Sequence, residues 1–127
     1  MALTHTTPTR NAIADAVVDR CDSGSTDANG DMVIMTSGDV EVATLALSNP
    51  AFGAAASGVA TGNAVSDDTS ATGGTAAKVK LQDRDNTEVF QGSVTATSGG
   101  GDLELSSVSI GAGDTVSVSS MTYTAPT

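Results

Sequence analysis

Apolar and polar residues alternate in short runs along this chain, as in Val40-Glu41-Val42-Ala43, Lys78-Val79-Lys80-Leu81 and Val116-Ser117-Val118, with Gly and Asp punctuating the sequence between them. A period of two places alternate side chains on opposite faces of an extended backbone, so such runs read as strands with one face buried. The material available to that buried face is meagre. Over half of the residues are Ala, Gly, Ser or Thr, and only Phe52, Phe90 and Tyr123 are aromatic. Apolar burial stabilises by about 25 cal/mol per Å², and Ala offers little area. A chain of 127 residues fits one domain. The expectation is therefore a mainly β protein, an antiparallel β-sandwich or jelly-roll-like barrel with one short N-terminal α-helix, whose thin core makes self-association or docking on a partner part of its stability.

Residues 1–7 are polar and Thr-rich and read as an extended N-terminal arm ahead of a single domain over 8–127. Thr7 and Pro8 suit an N-cap and a first helical position, and Ile13, Val17 and Cys21 recur at four-residue spacing, which predicts a helix over 8–22. Asp15, Asp19 and Asp22 fall on its other face, and Gly24 stops it. Strands are predicted at Met32–Met35, at Val40–Leu47 before Pro50, and, weakly, once or twice within 51–64. Asp67 to Gly74 reads as a flexible loop. Further strands are predicted at Ala76–Gln82, Glu88–Thr97, Leu103–Ile110 and Thr115–Thr124, with turns at Ser37-Gly38-Asp39, Asp83-Arg84-Asp85-Asn86 and Gly111-Ala112-Gly113-Asp114.

The net charge of −10 repels phosphate backbones and anionic lipid, so neither nucleic acid nor membrane is an expected partner. Cys21 is alone and reads as a small buried apolar group. The N-terminus lacks the basic and hydrophobic regions of an export signal and no apolar run reaches membrane-spanning length, so a soluble protein is expected.

Groups able to do chemistry are few. His5, the lone imidazole, falls in the arm, where nothing would hold and orient a catalytic base. Asp27-Ala28-Asn29-Gly30-Asp31 spaces oxygen ligands as calcium loops do, but its Gly stands at the fourth position and Gly38 stands where a closing Glu belongs. Asp83-Arg84-Asp85-Asn86-Thr87-Glu88 carries spaced oxygens with an opposing Arg. Both read as turns. Zinc lacks its ligands. Asp67-Asp68 resembles an acid–base pair only in composition and reads as a solvated loop, and Gly99-Gly100-Gly101 precedes a strand rather than a phosphate-binding helix. No enzyme activity, cofactor or metal is expected.

The succession Leu45-Ala46-Leu47-Ser48-Asn49-Pro50-Ala51-Phe52-Gly53, Gly58-Val59-Ala60-Thr61, Asp67-Asp68-Thr69-Ser70-Ala71-Thr72-Gly73, Asp102-Leu103-Glu104-Leu105 and Val116-Ser117-Val118-Ser119-Ser120 resembles small β-rich virion proteins of tailed bacteriophages and prophages, over nearly the whole chain. The resemblance implies a structural component without catalysis, and most directly a capsid decoration or cement protein bound to the exterior of the head. Its partners would be the major capsid protein and itself, often as trimers or other oligomers. A tail-associated or head–tail joining protein, and a carbohydrate-binding or host-adhesion module, are the alternatives. For partner contact the sequence offers Ala2, Leu3, Thr4, His5, Thr6, Thr7, Pro8, Thr9 and Arg10, an arm that would order on docking. Lys78 and Lys80, side by side on one strand face, form a second patch, with edge-strand protection as their other reading.

Overall fold

The structure is a computed structural model that describes residues 3–127. It is mainly β with one short N-terminal helix. Helix α1 runs Thr7–Val18 and tightens into a 3-10 turn over Asp19–Asp22. The predicted helix thus starts one residue early and changes pitch for its last four. Thr6, in extended conformation (φ −66°, ψ 160°), is the N-cap residue in place of Thr7, because Pro8 fits the first turn, where its missing N–H has no partner to lose. The arm accordingly ends at Thr6.

Nine strands follow: β1 Asp31–Met35, β2 Glu41–Ala46, β3 Val59–Thr61, β4 Gly74–Thr75, β5 Lys78–Gln82, β6 Glu88–Ala96, β7 Leu103–Leu105, β8 Ser109–Ile110 and β9 Thr122–Thr124. Five form one sheet in the order β2-β1-β5-β6-β7, while β3 pairs with β9 and β4 with β8. All pairs are antiparallel except β6 with β7, which run parallel. The result is a curled half-barrel.

Register explains the core. One row across the sheet is Leu45, Met32, Leu81 and Phe90, and the next is Ala43, Ile34, Val79 and Gly92. Paired residues share a face, so these rows make the apolar inside, where Ile34 and Leu45 are wholly buried. The rows between them, Thr44-Val33-Lys80-Gln91 and Glu41-Met35-Lys78-Ser93, make the outside. The turns at 37–39 and 83–86 close the β1–β2 and β5–β6 hairpins as predicted. Asp39 and Asn86 adopt positive φ there, a conformation their short polar side chains tolerate.

Two predicted strands break. Leu103–Ile110 divides into β7 and β8, and Thr115–Thr124 keeps only a single bridge, Val116 to Asp68, before β9. Alternation gives these runs the right pattern, but strand propensity is realised only against a packed neighbour, and Ser supplies little to pack. Conversely, the 66–73 segment is not a free loop. Ser66 N–H donates to Ala46 O, Gly73 N–H to Val42 O, and Thr44 N–H to Asp68 Oδ2, so this segment covers the outer edge of β2.

Candidate interaction surfaces

Polar side chains in this fold do what large apolar ones do elsewhere. Of the aspartates expected to face solvent, Asp19 is exposed, but the other two, together with Asn11, stitch the segment before β3: Asn11 Oδ1 accepts from Gly58 N–H at 2.7 Å, Asp15 Oδ1 from Ala55 N–H at 2.8 Å and, from the following 3-10 turn, Asp22 Oδ1 from Ala51 N–H at 2.9 Å. Arg10 completes the seam. Its guanidinium donates to Ala125 O at 3.1 Å, Pro126 O at 3.3 Å and Ser57 O at 3.5 Å. Gly58, at φ +77°, has no Cβ because one would lie 2.5 Å from Arg10 Cζ. Arg10, expected as a partner contact, is thus an internal clamp between the helix and the end of the chain.

The other arm residues lie open. Leu3 is 72% exposed, and Thr4 and His5 are exposed beside it. His5 Nδ1 sits 3.2 Å from the carbonyl of Thr127, and Thr6 Oγ1 donates to Thr9 Oγ1 at 3.0 Å. Thr7, Pro8 and Thr9 form the exposed first turn of α1. Ala2 lies outside the described residues.

Lys78 and Lys80 project from the outer face of β5, which is flanked by β1 and β6. An interior strand needs no edge protection, so that reading is set aside. Lys78 Nζ pairs with Asp39 Oδ1 at 2.8 Å, and this contact holds the Asp39 carboxyl below its usual range. Val33 and Met35 sit in the same rows and are nearly buried although on the outside, as expected where lysine stems lie over apolar neighbours.

The two oxygen-rich loops come together. Asp27 N–H donates to Arg84 O, Arg84 N–H to Ser23 O, and Asn86 Nδ2 to Asp27 Oδ2. Asp85 Oδ1 accepts from Ser25 and Thr26 N–H, which together hold its carboxyl below the usual range. Asp83, buried, accepts from Asp85 and Thr87 N–H. Gly30 lies where this loop crosses the sheet, since a Cβ would stand 2.4 Å from Gln82 O. These carboxylates are engaged as turn-builders, and among the described residues no three His, Cys, Asp or Glu side chains group to hold a metal ion. Asp31 differs: burial first, and then the nearby Asp27 charge, raise its pKa. Asp68, half of the expected solvated pair, also binds main chain, at Thr44 and Ser70. Cys21 is buried, and that burial, reinforced by Asp22 and Asp83, pushes its thiol up to about 12.

One hollow escaped the sequence. Phe90 and Tyr123, with ring centroids 5.5 Å apart and planes at 45°, line a cavity of about 570 Å³ together with Phe52, Met32 and Leu81 on the inside of the half-barrel. Residues 52, 90 and 123 are far apart in the chain, and no local pattern signals their meeting. No protein-family model, curated protein or solved structure matches the chain. Among the described residues no helix is long and apolar enough to cross a membrane.

Proposed function

We propose that the chain is a non-enzymatic structural protein of a phage virion, a decoration protein bound to the head exterior through the major capsid protein and through copies of itself. The observation that carries this reading is how its chemistry is employed. Asp15, Asp22, Asp68, Asp83 and Asp85 all accept main-chain hydrogen bonds, Arg10 donates to main chain, and the one thiol is buried and protonated. Such groups hold a shape and leave no poised base or nucleophile. A small, acidic body with a core of Ala, Val and Leu gains from a shell that covers it, and many weak contacts act together on a symmetric lattice.

Quantitative mass spectrometry of particles released from cells carrying the gene tests the reading. Hundreds of copies per particle are expected for decoration, and a handful would indicate a head–tail joining ring. Particles without the protein would overturn both.

The aromatic-lined hollow favours a second reading, a carbohydrate-binding or adhesion module, because paired rings in an open cavity suit a sugar face. A glycan array probed with the protein and with Tyr123→Ala checks it, and binding that the substitution abolishes would replace the decoration reading.

A further inference from the structure

Two stretches of backbone in the C-terminal third make no hydrogen bonds along one side to other described residues, and they line the same groove. The first is the outer edge of β7. In its parallel pair with β6, Thr97 N–H donates to Leu105 O at 2.9 Å, so Leu103 and Leu105 turn their peptide groups toward β6. Alternation then turns the N–H and C=O of Glu104 away from the sheet. The second is Ser117–Ser120, whose peptide groups bond to no described residue, although Val116 just before them exchanges both bonds with Asp68. The groove has a volume of about 570 Å³, with Gly101–Ser107 and Thr115–Ser120 as its walls. Leu103, Ile110 and Val118, all half-buried, give it apolar lining. The opposite sheet edge is already covered by residues 66–73, which leaves this one open.

We propose that this groove receives the N-terminal arm, Leu3–Thr6, of a second copy of the chain as an added strand. Unpaired peptide groups on both walls call for an extended backbone, which satisfies them as no compact ligand does. The charged residues of the groove are Asp102 and Glu104, with no cation, so in a chain of net charge −10 the fitting occupant is a segment without carboxylates. Residues 1–9 contain none. Leu3 is one of two large hydrophobic side chains left exposed among the described residues and matches the apolar lining, while Thr4 and Thr6 are β-branched and suit a strand. Within one copy the arm lies beside Thr127 and is not part of the groove wall. Reciprocal exchange closes a dimer and head-to-tail exchange closes a ring. The inference is independent of the virion reading, since it rests on the two open edges.

Light scattering on the full chain, on the chain lacking residues 1–6 and on Glu104→Pro tests it. Proline at 104 removes the outward N–H while sparing the bonds to β6; it also removes the carboxylate that accepts from Ser98 and Gly100 N–H, so Glu104→Ala, which loses the carboxylate but keeps the N–H, is the control, and circular dichroism reports whether the sheet persists. The full chain and the control should assemble, and the truncated chain and Glu104→Pro should fall to the monomer mass with unchanged spectra. A second measurement does not depend on the proline variant folding: Leu3→Cys and Val118→Cys chains, mixed and oxidised, should form a disulfide between unlike copies, with buried Cys21 remaining apart. A full chain that is monomeric at its highest soluble concentration, assembly that survives removal of the arm, or a folded mixture without the unlike-copy disulfide would each overturn the proposal, and assembly through some other surface or partner would then be the conclusion.

Discussion

Residues 7–96 and residues 97–121 draw on the same small side chains, yet they are held in different ways. In the first region four antiparallel strands stack apolar rows in register, and carboxylates of α1 and its 3-10 turn tie down the neighbouring main chain. In the second, no strand is longer than three residues, a length seen in the first region only at β3 and β4, and Ser117–Ser120 make no backbone bond to another described residue. Period-two patterning is present in both. What separates them is what meets the pattern on the other side: Ile34 meets Ala43 and Val79, whereas the Val116-Ser117-Val118 run meets a groove.

The sharpest test of that contrast is truncation on each side. Ile34→Ala, at a fully buried site, should cost about 2–5 kcal/mol in urea unfolding, and Val118→Ala, half-buried at the groove, under about 1 kcal/mol. Equal losses would erase the distinction. Next comes the clamp: Arg10→Met keeps much of the stem but loses three carbonyl contacts, and should cost about 1–3 kcal/mol, with faster amide exchange at Ala125, whose N–H donates to Gly58 O. Protection unchanged at Ala125 would mean that β3–β9 pairing holds the seam without Arg10.

A smaller effect is the response to acid. The Asp85 carboxyl is lowered chiefly by Ser25 and Thr26 N–H, and that of Asp102 by the Ser93 N–H and hydroxyl. A lowered folded pKa contributes stability that is complete above the unfolded value of about 3.9 and is lost as pH falls through the folded one. Asp31 runs the other way: its raised pKa makes its charge a cost at neutral pH, relieved on protonation. Urea midpoints should therefore hold or rise slightly toward pH 4 and drop below it. Asp85→Asn and Asp102→Asn, one in each region, should each flatten the drop, and Asp31→Asn should raise the neutral midpoint. The smallest effect belongs to Cys21, whose native thiol should resist alkylation at pH 8 until the chain unfolds; rapid native labelling, read by mass spectrometry, would show that the first region opens as easily as the second.

What the sequence disclosed follows the reach of its signals. Lys78-Val79-Lys80-Leu81 and the Asp83–Asn86 turn are local, and the β5–β6 hairpin came out as read. The helix did too, apart from its start at Thr7 and the 3-10 turn that takes its last four residues. Leu103–Ile110 misled because alternation does not say which partner a strand takes: β7 pairs with β6 and β8 with β4, and the parallel docking of β7 on β6 leaves no mark in either run. Arg10 was legible as a charge near the arm, but its three acceptors are carbonyls more than forty positions away, and any residue has a carbonyl. Asp15 and Asp22 misled in the same way, since a polar face looks alike whether it binds water or main chain, whereas Asp19 is exposed as expected. Phe90 and Tyr123 are brought together only by the curl of the half-barrel.

The bond from Arg10 to Ala125 joins residues 115 positions apart, and it bears on the order of folding. The β1–β2 and β5–β6 hairpins join strands that are neighbours in the chain or nearly so, whereas the helix, β3 and β9 meet only across long spans. Contacts of long sequence separation are slow to form, so the hairpins should close early and the seam that Arg10 secures should close late.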